Sequence, residues 1–143
     1  MVNAHMLKTP NNDEQGRLPG WRRGLAAVEL AVALPVVVLI AFATIETCTA
    51  LYKKQFLEIV AYEGARVGVV PGAESANVIY KCETLLQAGG IVDYTIAATP
   101  SDPTTLEPGS YFTVEISAPL GPNSLGAIFT SSILTQRVSL RFD

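Results

Sequence analysis

A chain of 143 residues with a net charge of −3 has room for one domain of ordinary size, and its acidic balance argues against nucleic acid as a partner. Its single histidine is His5, which leaves the main part of the chain without a His-based catalytic constellation or an ordinary metal-ligand set.

Residues 1–20 are polar and include Pro10, Gly16, Pro19 and Gly20, so they read as a disordered leader. Arg22, Arg23 and Gly24 follow, and an apolar run from Leu25 to Ile45 begins at once. At a rise of ~1.5 Å per residue this run spans ~31 Å, one bilayer core. Residues 1–24 hold Lys8, Arg17, Arg22 and Arg23 against Asp13 and Glu14, whereas the rest of the chain has an excess of acids. Basic before the span and acidic after it predicts a cytoplasmic N-terminus and a C-terminal part across the membrane. A secretory signal cut after Ala41-Phe42-Ala43 is the competing reading. Its apolar region would be shorter and would seldom contain a carboxylate.

Glu29 is the only charge in the run. A carboxylate near mid-span costs about 2.5–3.5 kcal/mol on insertion scales and less near an edge, so Glu29 needs a compensating partner. No basic residue stands three or four positions away. Cleavage between Gly24 and Leu25 would create an amine at Leu25, one helical turn from Glu29 and beside it.

Pro35 lies within the predicted helix, where a membrane helix tolerates it. The helical spacing continues beyond Ile45: Tyr52, Phe56, Ile59, Val60 and Val67 form an apolar side, and Lys53, Lys54, Glu58 and Arg66 the other. One helix is therefore predicted from Leu25 to about Val67, ended by Pro71-Gly72. Glu46 stands at its outer end as an interface carboxylate, and Glu63 and Arg66 form a local ion pair. Gly64 and Gly68 either permit a close helix contact or mark a fraying end.

A second helix is predicted over about Ser75 to Gln87. Its stripe is Val78, Ile79, Cys82, Leu85 and Leu86, and Gly89-Gly90 stop it. The period then becomes two. Tyr94, Ile96 and Ala98 alternate with polar or small residues, as do Phe112, Val114, Ile116 and Ala118, and finally Val138, Leu140 and Phe142. A proline-rich loop, Thr99 to Ser110, separates the first two strands, and a short helix is read over Leu125–Phe129. The expected fold is α+β: a long N-terminal transmembrane helix with an amphipathic extension, a second helix, and a small three-stranded antiparallel sheet wet on one face. The segments are a leader at 1–24, the span at 25–45, its continuation at 46–70 and a small extracytoplasmic α+β domain at 71–143. Cys48 and Cys82 both fall on the oxidising side, where a bridge is one reading. A free Cys82 packed as a small core residue is the other.

Basic residues, a glycine, and an apolar helix with glutamate at its fifth position resemble the type IV prepilin class III signal. The closer resemblance is to TadE-like pseudopilins of the tight-adherence (Flp) pilus system. It rests on Arg22-Arg23-Gly24-Leu25-Ala26-Ala27-Val28-Glu29-Leu30, then Leu34-Pro35, Ile45-Glu46 and Ala61-Tyr62-Glu63-Gly64-Ala65-Arg66. Leu30 departs from the family's usual aromatic, and Thr47-Cys48-Thr49 replaces a glycine found soon after Ile-Glu in many relatives. The resemblance implies a single-pass protein of the bacterial inner membrane, in contact with membrane lipid. It implies that a prepilin peptidase removes residues 1–24, with Arg22, Arg23 and Gly24 as signal, Leu25 as the new terminus and Glu29 serving assembly. The implied partners are other pilin or pseudopilin subunits and the pilus machinery. It implies no enzyme activity and no cofactor. The alternative from another class is an unprocessed single-pass protein with an extracytoplasmic ligand- or partner-binding domain.

Overall fold

The computed structural model describes residues 20–124 and 132–143, with side chains from residue 24 onward. The helix read over Leu125–Phe129 lies outside the described residues. In chain order the elements are α1 (Gly20–Gly68), α2 (Ser75–Ala88), β1 (Thr95–Thr99), β2 (Tyr111–Pro119) and β3 (Ile133–Arg141). Short 3-10 turns lie at Pro103–Thr105 and Gly121–Asn123. The predicted α+β class is the observed one. The described residues divide into two compact units, one up to Ile40 and one from Ala41 onward.

The first unit is the apolar part of α1. Its helix begins at Gly20 rather than at Leu25, so the helical backbone runs through Gly24. Pro35 sits inside it without ending it. Every residue from Gly24 to Ile40 is exposed, including Leu25, Leu30, Val32 and Leu39. The described helix from Gly24 to Gly68 contains a stretch long and apolar enough to cross a membrane.

The second unit is built on a sheet of order β1-β2-β3, antiparallel throughout. Central β2 supplies the core: Phe112, Val114, Ile116 and Ala118 are buried on one face, as their alternation predicts. Val114 pairs with Ala98 on one side and Val138 on the other. The helices cover this face through Leu57, Val60, Ala61 and Ala65 of α1 and Val78, Cys82 and Leu86 of α2. β3 begins at Ile133, earlier than its clean alternation from Val138 suggests.

The predicted apolar side of α1's second half faces the core at Phe56, Val60 and Val67 but not at its other two large residues. Tyr52 and Ile59 face solvent. Lys53, assigned to the wet side, is half-buried and donates from Nζ to the Gly89 carbonyl, 3.1 Å away at the C-terminus of α2. The physical reason is closeness. A Cβ added at Gly64 would run into Cys82 Sγ, and one at Gly68 into the Phe112 ring. The face that docks is the one made of small residues, because it lets backbone approach side chain. Gly64 and Gly68 are thus close-contact positions. α2 ends on a Schellman motif, with Gly90 N donating to Gln87 O and Ile91 N to Leu86 O. Gly90 takes the left-handed conformation that this motif requires (φ 63°).

Candidate functional site

The residues singled out in the sequence lie along α1. Leu25 and Glu29 are one turn apart on the same helix face, and Glu29 stands among Leu25, Val28, Val32 and Val36. Gly24 has nothing within 4 Å of where a Cβ would stand. Arg22 and Arg23 precede it within the helix. The arrangement offers one carboxylate on an apolar rod, a shape suited to insertion and lateral packing.

At the other end of the apolar run the structure departs from expectation. Ile45 is exposed, but Glu46 is only 3% exposed. A carboxylate read as sitting in hydrated interface is instead part of the buried side of α1, and it is not without a partner. Once the docking face is known, counting along the helix puts Glu46 on it, with Lys53, Leu57 and Ala61. The Ala61–Arg66 block proves to be a packing device. Ala61, Gly64 and Ala65 are buried against the sheet and α2. Glu63 and Arg66 point outward and pair at 3.7 Å, an i,i+3 ion pair worth a few tenths of a kcal/mol.

Cys48 and Cys82 are not bridged. Both are free, Cys48 exposed and Cys82 fully buried. Cys82 lies against α1 at Gly64 and its Sγ is 3.9 Å from the Val60 carbonyl, to which it donates weakly. Cys48 is three to four helical turns back along α1, beyond the ~7 Å Cα separation a disulfide spans. Burial, and secondarily Glu83, pushes the Cys82 thiol up to about 11.

Among the described residues no group of three or more His, Cys, Asp or Glu side chains could hold a metal ion. A polar concavity lies on the wet face of the sheet, where Glu115 accepts from Arg137 Nε at 2.6 Å between rows of hydroxyls. Thr113 and Ser139 are 2.8 Å apart there, and Ser117 and Thr135 3.1 Å. These are ordinary cross-strand pairs. Asn123, missed in the sequence, is the buried polar anchor of the domain. It accepts from Val92 N and donates to the carbonyls of Val92 and Pro119.

The match to known proteins falls on the rod. Residues 24–66 match the model of the TadE-like protein family. The similarity to TadE-like proteins is confined to the N-terminal helix. The match begins at Gly24 and stops within α1, before α2 and the sheet. It agrees with the resemblance carried by Val28-Glu29, Leu34-Pro35, Ile45-Glu46 and Ala61–Arg66. A TadE-like segment relates the chain to the tight-adherence pilus, whose TadE-like members are pilus components rather than a known enzyme family. No curated protein and no solved structure matches the chain.

Proposed function

We propose that this protein is a membrane-anchored pseudopilin or minor pilin that a prepilin peptidase processes between Gly24 and Leu25 before it takes part in assembly of a tight-adherence pilus. The observation that carries the proposal is the TadE-like match starting at Gly24, with Glu29 as the single charge of the exposed apolar run Leu25–Ile45. Arg22 and Arg23 hold the leader at the cytoplasmic face. Gly24 serves the cut in two ways. It presents no side chain to the peptidase. It also weakens the helix locally, by about 1 kcal/mol relative to alanine, which helps the scissile segment open to the extended form that proteases bind.

After the cut, the Leu25 ammonium and the Glu29 carboxylate neutralise one another, within one helix or between packed helices. The penalty of holding either charge alone in hydrocarbon is then offset. The α+β unit from Ala41 to Asp143 suits a subunit that primes or decorates a fibre.

The test is N-terminal sequencing of the membrane-extracted protein together with the Gly24→Val variant. The mature protein is expected to begin at Leu25, and Gly24→Val to keep the leader and migrate as the precursor. A wild-type protein that retains its leader would instead favour an unprocessed anchor for a binding domain.

A further inference from the structure

The two edges of the sheet are not equivalent. In an antiparallel ladder, residues alternate between those that bond one neighbour and those that bond the other. Phe142 N donates to Ser110 O at one end of the β2–β3 pair, and Leu120 N to Ser132 O at the other. With the register Phe112↔Leu140 and Val114↔Val138, the even-numbered residues of β3 therefore bond β2. The odd-numbered ones, Thr135, Arg137, Ser139 and Arg141 among them, aim N–H and C=O at the free edge. Among the described residues no strand pairs with that edge. On β1 the same argument leaves only Ile96 and Ala98 facing outward, and Pro100, which has no N–H, follows the strand. β1 is thus blunted in the usual way, by shortness and proline, whereas β3 is long and has no proline.

Beside the β3 edge lies a groove of about 470 Å³, lined by Val138 of β3 and by Gln55, Glu58, Ile59 and Tyr62 of α1. Ile59 and Tyr62 are 58% and 47% exposed. The inner side chains of β3 are only half-buried, while those of β2 are fully so. An added strand would complete both features together, placing alternate side chains into the groove while its backbone bonds the edge.

We propose that the outer edge of β3 is a strand-addition site for an extended segment of another protein, with apolar residues alternating with polar and acidic ones. The backbone groups specify an extended occupant, and the groove specifies apolar side chains on its inner face. Charge specifies the outer face. The wet row of β3 carries Arg137 and Arg141, four residues apart; Glu115 of central β2 pairs with Arg137 from the inner side, and Asp143 pairs with Arg141 at 3.2 Å. An acidic residue on the added strand would flank each guanidinium from the free side. A second copy of β3 is the poorer occupant, because it brings the same arginines to the same row. The proposal rests on the second unit alone and is independent of leader processing.

The probe is a synthetic peptide, Thr-Val-Glu-Val-Thr-Val-Glu-Val, whose glutamates share the spacing of Arg137 and Arg141. It is titrated into the full-length protein in detergent micelles, and backbone amide exchange is read by NMR. Exchange of the Thr135, Arg137, Ser139 and Arg141 amides is expected to slow about tenfold or more, with little change at Leu134, Val138 and Leu140, which already bond β2. A peptide with lysine in place of glutamate is expected to bind about tenfold more weakly. Ser139→Pro removes an outward donor without touching the β2–β3 backbone bonds and should abolish binding. Ile59→Lys, on an exposed position that leaves the core intact, should weaken it about tenfold. Absence of binding, binding without selective protection of the odd-numbered amides, undiminished binding to either variant, or equal affinity for the lysine peptide would each overturn the proposal.

Discussion

At the scale of single residues, the two cysteines show how environment rather than chemistry sets reactivity. Cys48 is exposed on α1 and Cys82 is closed inside the core beside Gly64. A thiol must ionise to react, and burial holds Cys82 protonated to about pH 11. A maleimide at pH 8 is therefore expected to label Cys48 and spare Cys82 in the folded protein, with both labelled after denaturation, as read by mass spectrometry. The same shift links stability to pH. An unfolded thiol loses its proton near 9.0, and the folded Cys82 keeps it to about 11. Below pH 9 both states are protonated and the contribution is complete. From pH 9 toward 11 the unfolded chain sheds a proton that the folded chain retains, and stability falls. Cys82→Ala should have a lower Tm at neutral pH, from the small cavity, but a shallower decline between pH 9 and 11. Equal slopes for the two proteins would contradict the assignment.

At the scale of elements, α1 does two jobs with two kinds of surface. Its first part is apolar all round and exposed, and its second part docks through Val60, Ala61, Gly64, Ala65 and Gly68. Docking through small residues makes bulk the sensitive variable. Gly68→Val would force branched carbons into the space of the Phe112 ring and should destabilise the domain by about 1–3 kcal/mol. Leu57→Ala, which empties a fully buried position on the same face, should cost about 2–5 kcal/mol. Ile59→Ala, on the opposite face, should stay within about 0.5 kcal/mol of wild type. Thermal unfolding in detergent orders the three. A large loss at Ile59 with little at Gly68 would mean that the helix docks the other way round.

At the scale of the whole molecule, the proposed function requires a defined direction across the membrane and a role for Glu29 after insertion. In a Cys48→Ser, Gly24→Val background, which keeps the leader, a membrane-impermeant thiol reagent applied to cells with permeabilised outer membranes should reach Glu107→Cys, on an exposed loop, and miss Asn11→Cys. The reverse pattern would invert the topology. Glu29→Ala removes the lone intramembrane acid, so insertion should be unharmed or improved and cleavage after Gly24 should persist. Assembly should fail, because the Leu25 ammonium is then left without a partner. Surface pili counted by microscopy decide this point, and normal pili in the Glu29→Ala strain would show that the carboxylate has no assembly role.

The sequence by itself determined the features that depend on local pattern. The apolar run from Leu25, the isolated Glu29, the stop at Pro71-Gly72, the second helix and the alternating strands were all legible, because helix and strand periods write themselves into spacing. The family likeness was legible for the same reason, since its motif lies along one continuous helix. Tertiary structure decided which face of that helix turns inward. Large residues such as Tyr52 and Ile59 suggested one side, but the sheet accepts the side that can come closest, and only Gly64, Gly68 and their small neighbours allow it. The same choice buried Glu46, drew Lys53 to the Gly89 carbonyl, parted Cys82 from Cys48 and left Ile59 and Tyr62 beside the open edge of β3. None of these follows from hydrophobicity along the chain, because each depends on how near two backbones can approach.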